Sequence, residues 1–330
     1  MVNALNEVRV ERDDDGVLVV WWATDDPVAV DVGVGVSPVA EEHTPFLSST
    51  TSTPVRLGRL GPERRYVSLT PAGGGTVVVA ERRVPLAGIT NLRDLGGYPT
   101  ADGGTTRWGR VFRADALHKL TDADLIAFHS LGVRTVYDLR GQVERTDFPG
   151  PVDSLHVPII GRPADAVPPA PPADMTTADG ERMLRDMYVG SLEHSATHIG
   201  TILRGIADPD HVPAVFHCHG GKDRTGVVAA VLLLALRVER EIVLDDYEAT
   251  RRYRLIEDQQ DSLANILAAG VSPEAAAGVL GTPRWAMAAA VDAIDDAYAG
   301  IDAYLTGPAG LTAGEVSSLR EHLIVPAQRS

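Results

Sequence analysis

Residues 217–226 read His217-Cys218-His219-Gly220-Gly221-Lys222-Asp223-Arg224-Thr225-Gly226, and they contain the only cysteine of the 330-residue chain. They also contain one of its two lysines, the other being Lys119, whereas arginines number 28. Because this composition disfavours lysine, finding the rare lysine beside the single cysteine indicates a specialised loop. We interpret this loop as a phosphate-binding loop built around a nucleophilic thiolate.

The flanking sequence predicts a strand before the loop and a helix after it. Ala214–His217 is a short apolar run typical of a buried parallel strand. Residues 226–236 form an apolar run of helix length, with Thr225 placed as its cap. Between them, Gly220 and Gly221 allow successive N–H groups to converge on an anion. The helix N-terminus adds partial positive charge at the same point.

Charged side chains complete the predicted loop. Lys222 and Arg224 would form a cationic cup, in which the arginine binds two oxygens of a phosphoryl group. The same field favours the thiolate form of Cys218, which could attack phosphorus and give a cysteinyl-phosphate that water hydrolyses. We expect His217 to organise the loop from behind. His219 is expected at its rim, with direct substrate contact as the alternative.

Two other readings of the loop fail on detail. A nucleotide-binding P-loop needs glycine where Phe216 stands and serine or threonine where Asp223 stands. A metal site needs ligands at workable spacing, whereas His217, Cys218 and His219 are consecutive and no second cluster follows. The sequence therefore predicts neither a metal nor another cofactor.

Three segments resemble one family. Cys218, five intervening residues and Arg224 resemble the signature of the protein tyrosine phosphatase superfamily, and residues 221–226 resemble its bacterial PtpB-type branch. Residues 89–98, Ile-Thr-Asn-Leu-Arg-Asp-Leu-Gly-Gly-Tyr, and residues 136–140 with Glu144 are similar to the same branch. The resemblance covers 86–325. It implies an α/β phosphatase domain over 86–330, with a mostly parallel central sheet flanked by helices.

The resemblance also implies a general acid. In the PtpB-type branch the aspartate matching Asp223 protonates the leaving oxygen; a salt bridge to Arg224 or Lys222 is the alternative role. Asp138, at the end of a predicted strand, is the second candidate, with a structural role left open. Arg140 either helps to hold substrate or pairs with a nearby acidic side chain, Glu144.

Supporting roles are predicted for further residues. Thr225 is placed to hydrogen-bond the Cys218 sulfur, or to act as an ordinary cap. Asn91, Arg93 and Asp94 are expected to fix a turn under the site, with substrate contact as the alternative. The resemblance further suggests that helices over 254–285 cover the site as a lid, although static packing is an equal reading. The candidate hinges are Gly270, Gly278 and Gly281.

The chain before residue 86 has a different pattern. Short β-branched stretches alternate with turn-forming clusters such as Asp25-Asp26-Pro27, which predicts a small all-β sandwich over 1–85. Trp21 or Trp22 and Tyr66 resemble fibronectin type III core positions. Such a domain would act as a spacer or stabiliser, or would bind a protein partner.

From residue 86 onwards strands and helices alternate. Strands are predicted over 111–113, 134–139 and 155–158, with a helix over Asp122–Ser130 capped by Thr121. Residues 162–174 form a Pro/Ala-rich loop, and helices follow over 181–207. After the cysteine loop we expect helices over 242–260, 262–269, 273–280, 283–305 and 313–323. Because the cysteine ends a strand, the site is expected at the carboxyl edge of the sheet.

Composition limits the partners. A net charge of −15 argues against a nucleic-acid or anionic-membrane protein. One cysteine excludes an intramolecular disulfide framework. Residues 1–15 lack the core of a signal peptide, and the apolar run at 227–236 is about half of a membrane span. We therefore expect a cytoplasmic location, with export without a leader left open.

The sequence predicts a cysteine-dependent phosphatase acting on phosphotyrosine proteins. Lys222 extends the choice to phosphoinositides, because a lysine in this loop resembles phosphatases of densely anionic lipid head groups. A metabolic phosphatase for a nucleotide or inositol phosphate is the related alternative. The alternative outside the enzymes is a non-catalytic phosphate-binding module. The intact Cys218, Arg224 and Thr225 argue against it.

Overall fold

The computed structural model describes residues 5–13, 15–60, 63–163, 172, 174–254 and 259–327. Within the N-terminal part of these residues, strands form a three-stranded sheet of order β1-β2-β5 and a four-stranded sheet of order β4-β3-β6-β7. Every pairing in both sheets is antiparallel. The strands are β1 (Asn6–Arg12), β2 (Leu18–Ala23), β3 (Val30–Gly35), β4 (Thr44–Thr50), β5 (Val55–Gly58), β6 (Tyr66–Pro71) and β7 (Val77–Ala80).

The two sheets share one apolar core, which confirms the predicted sandwich. Alternate residues of β2, ending at Trp22, are buried against residues from the other sheet such as Val32 and Leu69. The sequence missed β4 and β5. Strand β4 is exposed along its length and so lacks the alternation of a half-buried strand, and β5 has only four residues. The fibronectin type III likeness stays a prediction.

A five-stranded sheet of order β12-β11-β13-β10-β8 forms the centre of the remaining structure. Strand β13 lies in the middle and pairs in parallel with both neighbours, β10 and β11; only β8 is antiparallel. The cysteine loop therefore begins at the carboxyl edge of the central strand, as predicted. These strands are β8 (Arg93–Asp94), β10 (Val111–Ala114), β11 (Thr135–Asp138), β12 (Leu155–His156) and β13 (Ala214–His217); β9 (Thr105–Thr106) and β14 (Ile324–Val325) form a separate pair.

Helices cover this sheet and bury its apolar faces. Helix α5 follows the cysteine loop and is buried over almost its whole length, because nearly every residue of the run is apolar. The helices are α1 (Asp122–Ser130), α2 (Gln142–Asp147), α3 (Thr177–His194), α4 (Ala196–Ile206), α5 (Asp223–Ala235), α6 (Arg240–Glu248), α7 (Thr250–Tyr253), α8 (Gln260–Ala268), α9 (Pro273–Leu280), α10 (Arg284–Tyr298), α11 (Ile301–Thr306) and α12 (Ala313–Leu323).

The predicted strand positions and most helices are confirmed, and two long helices are wrong. The run over 242–260 is divided, since α6 ends at Glu248 and α7 ends at Tyr253. The run over 283–305 breaks where Ala299 adopts a φ of 60° and Gly300 one of 103°, left-handed values that end a helix. Most of the predicted loop over 162–174 lies outside the described residues.

Helix α9 packs closely against α3. A Cβ on Gly278 would lie 2.1 Å from the carbonyl oxygen of Thr177, and one on Gly180 would lie 2.0 Å from that of Ala275. The glycines therefore let the two helix backbones touch. Gly278 was a candidate hinge, and its position favours the alternative of static packing for α9.

Two arginines join the sandwich to the α/β part. Arg64, on the sandwich side, donates to Asp94 at 2.5 Å. Its guanidinium lies over the rings of Tyr66 and Trp108, at 4.8 and 5.7 Å from their centroids. Arg82 donates at 2.8 Å to the carbonyl oxygens of Asp94 and Gly96. The division at residue 85 stays a prediction, but the two parts share buried contacts.

Among the described residues, no helix combines the length and the apolar character that crossing a membrane requires.

Candidate active site

The cysteine loop connects β13 to α5. Cys218 directly follows the strand and is only 2% exposed, and the helix begins at Asp223. The helix thus begins two residues before the predicted cap, so Thr225 lies inside its first turn and is not the cap. The thiol lies between a strand end and a helix N-terminus, whose partial positive charge stabilises an anion.

Glycine is required at Gly221, and at Gly220 it leaves space for a neighbouring side chain. Gly221 has a φ of 64°, and a Cβ there would lie 2.6 Å from the backbone nitrogen of Asp115. A Cβ on Gly220 would lie 2.7 Å from the Nη1 of Arg254. The missing side chains therefore allow a tight turn at Gly221 and bring the guanidinium of Arg254 against the loop.

Side-chain donors hold the loop from outside. Asn91 donates through Nδ2 to the carbonyl oxygens of Gly220 and Gly221, at 3.1 and 3.0 Å. Arg113 donates through Nη2 to the Gly221 oxygen at 2.9 Å. Because C=O and N–H point in opposite directions across a trans peptide, carbonyls held outward leave the following N–H groups facing inward. Such N–H groups are suited to the oxygens of a phosphoryl group.

A buried ion-pair network positions these donors. Asp246 accepts from Arg93 Nε at 3.1 Å, from Arg113, and from the Tyr98 hydroxyl at 2.9 Å. Arg93 also donates to the Asn91 side-chain oxygen, which orients its amide toward the loop. Burial opposes ionisation of Asp246, but the two arginines outweigh it and hold its pKa well below the usual range.

Asp94 holds a turn beside β8, and its role in supporting the site stays a prediction. Asp94 accepts from the backbone N–H groups of Gly96 at 2.7 Å and Gly109 at 2.8 Å. Sequence reasoning missed Asp246 and Arg113. Asp246 falls on the buried face of α6 beside Val243, and a carboxylate at an apolar position was the signal that could have revealed it.

Arg224 is held in place by Glu144. Its Nη1 and Nη2 donate to the two carboxylate oxygens at 2.5 and 2.8 Å. Burial disfavours the charged guanidinium, but the Glu144 hydrogen bonds outweigh it and raise the pKa of Arg224. The pair uses two of the five guanidinium N–H groups, so three are left for substrate.

The alternative pairing of Arg140 with Glu144 does not occur. Arg140 is buried and donates to Asp138 at 2.8 Å and to the Phe148 carbonyl at 2.9 Å. These contacts use three of the five guanidinium N–H groups, and they turn Arg140 towards Asp138 and the Phe148 carbonyl. Arg140 lines, with Asp138 and Arg145, a cleft of 380 Å³.

Asp138 and His217 lie together behind the loop. Burial opposes ionisation of Asp138, yet hydrogen bonds from Arg140 keep its pKa below the usual value, and Arg145 lies 3.2 Å from its Oδ2. A carboxylate held by two arginines is poorly suited to donate a proton. His217 lies 3.2 Å from the Cys218 carbonyl oxygen and 4.0 Å from Asp138, and burial lowers its pKa to about 4.

Lys222 differs from its predicted position. Its Nζ donates to the carbonyl oxygens of Val279 and Gly281, both at 2.6 Å, and lies 3.4 Å from Asp223 Oδ1. Two of its three N–H donors thus bind backbone carbonyls, and the contact with Asp223 is an ion pair. Burial lowers the pKa of Lys222. The lysine thus ties the loop to the end of α9 and does not complete the cationic cup.

Asp223 is the more accessible carboxylate at the loop. Its side chain is 29% exposed, and its Oδ1 accepts from the Tyr188 hydroxyl at 2.6 Å. Within the described residues this is the one side-chain hydrogen bond to the carboxylate, and the ion-pair contact with Lys222 also involves Oδ1. Oδ2 therefore remains available for a proton.

An aromatic group borders the loop. The ring of His219 lies 6.2 Å from that of His118 and 6.1 Å from that of Phe148, centroid to centroid, and the latter two are 5.1 Å apart. His219 is half-buried, as expected of a rim residue, and burial lowers its pKa. We call these three residues the aromatic rim. His219 also lines a narrow cleft with Lys119 and Arg254.

Thr225 is fully buried, and its Oγ1 has no hydrogen-bond partner among the described residues. The predicted hydrogen bond to the Cys218 sulfur is therefore not formed in this conformation.

Comparisons of this chain with known proteins find one family and several similar proteins. A model of the tyrosine phosphatase family matches residues 84–325. Triple specificity protein phosphatase PtpB of Mycobacterium tuberculosis is 30% identical over 283 residues, covering 74% of this chain and 100% of that protein. A Cupriavidus necator protein assigned by name to the tyrosine-protein phosphatases is 29% identical over 246 residues, covering 72% of this chain and 86% of that protein. A crystal structure of P. aeruginosa TpbA is 17% identical over 52% of this chain and 90% of that chain, with a TM-score of 0.25.

Proposed function

Since the chain belongs to the tyrosine phosphatase family and is a cysteine-dependent hydrolase of phosphoric monoesters, we propose that it dephosphorylates tyrosine residues of proteins through a cysteinyl-phosphate intermediate. The observation that carries the proposal is the placement of Cys218 at the N-terminus of α5 beside the Arg224–Glu144 pair. A phosphoryl group at this point meets a nucleophile, inward N–H groups and a fixed guanidinium.

The first step forms a sulfur–phosphorus bond. The Cys218 thiolate attacks phosphorus while the bond from phosphorus to the tyrosine oxygen breaks, and Asp223 gives its proton to that departing oxygen. Arg224 stabilises the charge on the equatorial phosphoryl oxygens. In the second step Asp223, now a carboxylate, takes a proton from water as the water oxygen attacks phosphorus. Inorganic phosphate leaves and the thiolate returns.

We assign the acid to Asp223 because the two candidates differ in their surroundings. Asp138 is buried between two arginines that keep it ionised. Asp223 is partly exposed in the first turn of α5, and it has one carboxylate oxygen free. A proton donor needs access to the leaving oxygen, which favours Asp223.

The aromatic rim supports an aryl phosphate as the substrate. The rings of His118, Phe148 and His219 contact one another and form an aromatic surface beside the loop. Aromatic rings stack favourably on one another, so the ring of phosphotyrosine could pack against this surface. Phosphoserine and phosphothreonine carry no ring to use this contact.

Phosphoinositide hydrolysis is the second candidate, and one observation favours it. Arg254 and Lys119 line a narrow cleft with His219 and Asp115, and the two cations add positive charge beside the loop. The relative from M. tuberculosis carries "triple specificity" in its name. Lys222, the residue that first suggested lipid substrates, is engaged by α9 and gives this candidate less support.

Turnover of three substrates by one preparation tests the proposal. We expect a phosphotyrosine peptide to exceed both a matched phosphoserine peptide and a phosphatidylinositol phosphate in kcat/KM. Cys218→Ser should lower turnover of the peptide by about 10⁴-fold or more. Rapid quenching of wild type with labelled substrate should trap label on the protein, and none on Cys218→Ser. Equal turnover by both proteins would contradict the cysteine mechanism, and a faster lipid reaction would favour the second candidate.

A further inference from the structure

We propose that Tyr188 is a positioning residue for proton transfer, and that its hydroxyl group holds the Asp223 carboxyl group so that the transferable proton resides on Oδ2. The inference rests on the proposed function, in which Asp223 is the general acid. Tyr188 belongs to α3, well separated in sequence from the cysteine loop, and no motif of the sequence points to it.

The contact is short and fully buried on the tyrosine side. The Tyr188 hydroxyl donates to Asp223 Oδ1 at 2.6 Å, and Tyr188 itself has no exposed surface. Lys222 Nζ lies 3.4 Å from the same oxygen. A carboxylic acid carries its proton on one oxygen, and an oxygen that already faces two donors is the less favourable one. The proton of the acid form is therefore placed on Oδ2.

A second tyrosine sets the direction of this hydrogen bond. The Tyr188 hydroxyl lies 2.8 Å from the hydroxyl of Tyr247, on α6, and the two rings meet edge to face. A hydroxyl has one proton, so when Tyr188 donates to Asp223 it must accept from Tyr247. Hydrogen bonds in such a chain polarise one another, which strengthens the contact with Asp223.

The charged and titratable groups around Asp223 make Tyr188 the residue best suited to position its carboxyl group. The titratable groups facing Asp223 are Tyr188 from α3, Tyr247 from α6, Lys222 from the loop and Arg224 from α5. Burial first, and then the Asp223 charge, raise the pKa of Tyr188 well above its usual value, so it stays a neutral donor throughout the working pH range. Lys222 is shared with two carbonyl oxygens and lies farther from Asp223.

Tyr188→Phe tests the proposal, with Tyr304→Phe as the matched control. Tyr304 is also buried, and its hydroxyl also makes one hydrogen bond, to the Leu192 carbonyl oxygen at 2.9 Å, but it does not contact the loop. We expect Tyr188→Phe to lower kcat for a phosphotyrosine peptide by about tenfold, a part of what general acid catalysis contributes. The effect on an aryl phosphate with a strongly acidic leaving group should be small, because that group departs without a proton.

The ratio of the two rates is the main readout, since it does not depend on the fraction of folded enzyme. Tyr304→Phe should leave this ratio unchanged. An unchanged ratio in Tyr188→Phe, or equal loss on both substrates, would overturn the inference.

The Asp223→Asn background separates this inference from the proposed function. If Asp223 is the acid, Asp223→Asn alone should lose activity mainly toward the poor leaving group, and adding Tyr188→Phe should cause no further change in the ratio. A selective loss in Asp223→Asn without one in Tyr188→Phe would overturn only the role of Tyr188. No selective loss in Asp223→Asn would overturn the acid assignment itself, and with it this inference.

Discussion

The cysteine loop is supported differently on its two sides. On one side, Asn91, Arg93, Arg113 and Asp246 form a network that is buried throughout and holds the Gly220 and Gly221 carbonyls. On the other, one lysine joins the loop to the end of α9. We call these the fixed side and the α9 side.

The difference shows where rigidity is needed. The fixed side sets the direction of the loop N–H groups, so any displacement there changes the phosphate site. The α9 side contacts the loop through a long, flexible side chain, and such a contact can change without moving the loop backbone. Four predictions test this comparison.

The largest effect is expected from Asp246→Ala on the fixed side. The change leaves Arg93 and Arg113 buried without their carboxylate, and we expect it to lower the free energy of unfolding by about 3–5 kcal/mol. Urea denaturation measures this. The control is Asp292→Ala, which breaks an exposed ion pair with Arg240 and should cost under about 1 kcal/mol. Similar losses for both would contradict the role of the network.

The next effect is a pH dependence caused by His217, which is buried beside Asp138 and belongs to neither of the two sides. The pKa of His217 is about 4 in the folded protein and near 6.5 in the unfolded chain. As the pH falls from 6.5 to 4, His217 therefore gains a proton only in the unfolded chain. Stability is therefore highest above about pH 6.5 and falls by about 3 kcal/mol towards pH 4. Unfolding free energies measured from pH 7 to 4.5 should decline more steeply for wild type than for His217→Gln. The same decline in both proteins would contradict the role of His217.

Asn91→Ala should weaken catalysis more than stability. Without the amide, the Gly220 carbonyl loses its side-chain donor and the loop can turn its N–H groups away from the phosphate. We expect kcat to fall by about 10- to 100-fold, in the range for lost transition-state donors or their supports. The exposed Asn265 of α8 provides the control, and Asn265→Ala should leave kcat unchanged. A change in KM alone would count against a role in the transition state.

The smallest effect is expected on the α9 side. Lys222→Met removes the donor to Val279 and Gly281, and water can replace it at a helix end, so the local cost should be about 1 kcal/mol. Amide hydrogen exchange in 273–283 should become about fivefold faster, with no change in β8 or α6. Lys119→Met, at the chain's other lysine, should not alter exchange in α9. Equal acceleration in both variants, or in α6, would remove the distinction between the two sides.

The sequence was most informative where structure is local. The strand at 214–217, the loop glycines and the buried helix that follows all depend on neighbours in the chain, and they are found where predicted. The capping box of Thr121 and Asp124 is likewise local, and α1 begins as expected. The start of α5 was misplaced because the apolar run begins only after the helix has already made its first turn.

The partners of charged groups were less predictable, since they are chosen in three dimensions. Glu144 lies four residues from Arg140, a spacing that suggests a pair, yet Asp138 binds Arg140 and leaves Glu144 for Arg224. Lys222 belongs to the loop by sequence, but its stem reaches a helix almost sixty residues later. Long side chains find acceptors that no local pattern encodes, and Tyr188 was missed for the same reason.

The contact between Arg64 and Asp94 affects the choice of expression fragments of this protein. Asp94 holds the turn next to Arg93, and its partner Arg64 belongs to the β-sandwich, outside the region that matches the phosphatase family. An expression fragment that starts at the family boundary would expose Trp108 to solvent. It would also remove Arg64, the cation that pairs with the Asp94 carboxylate. The sandwich thus supports the phosphatase part from within the same chain. Its removal is expected to change catalysis as well as the length of the protein.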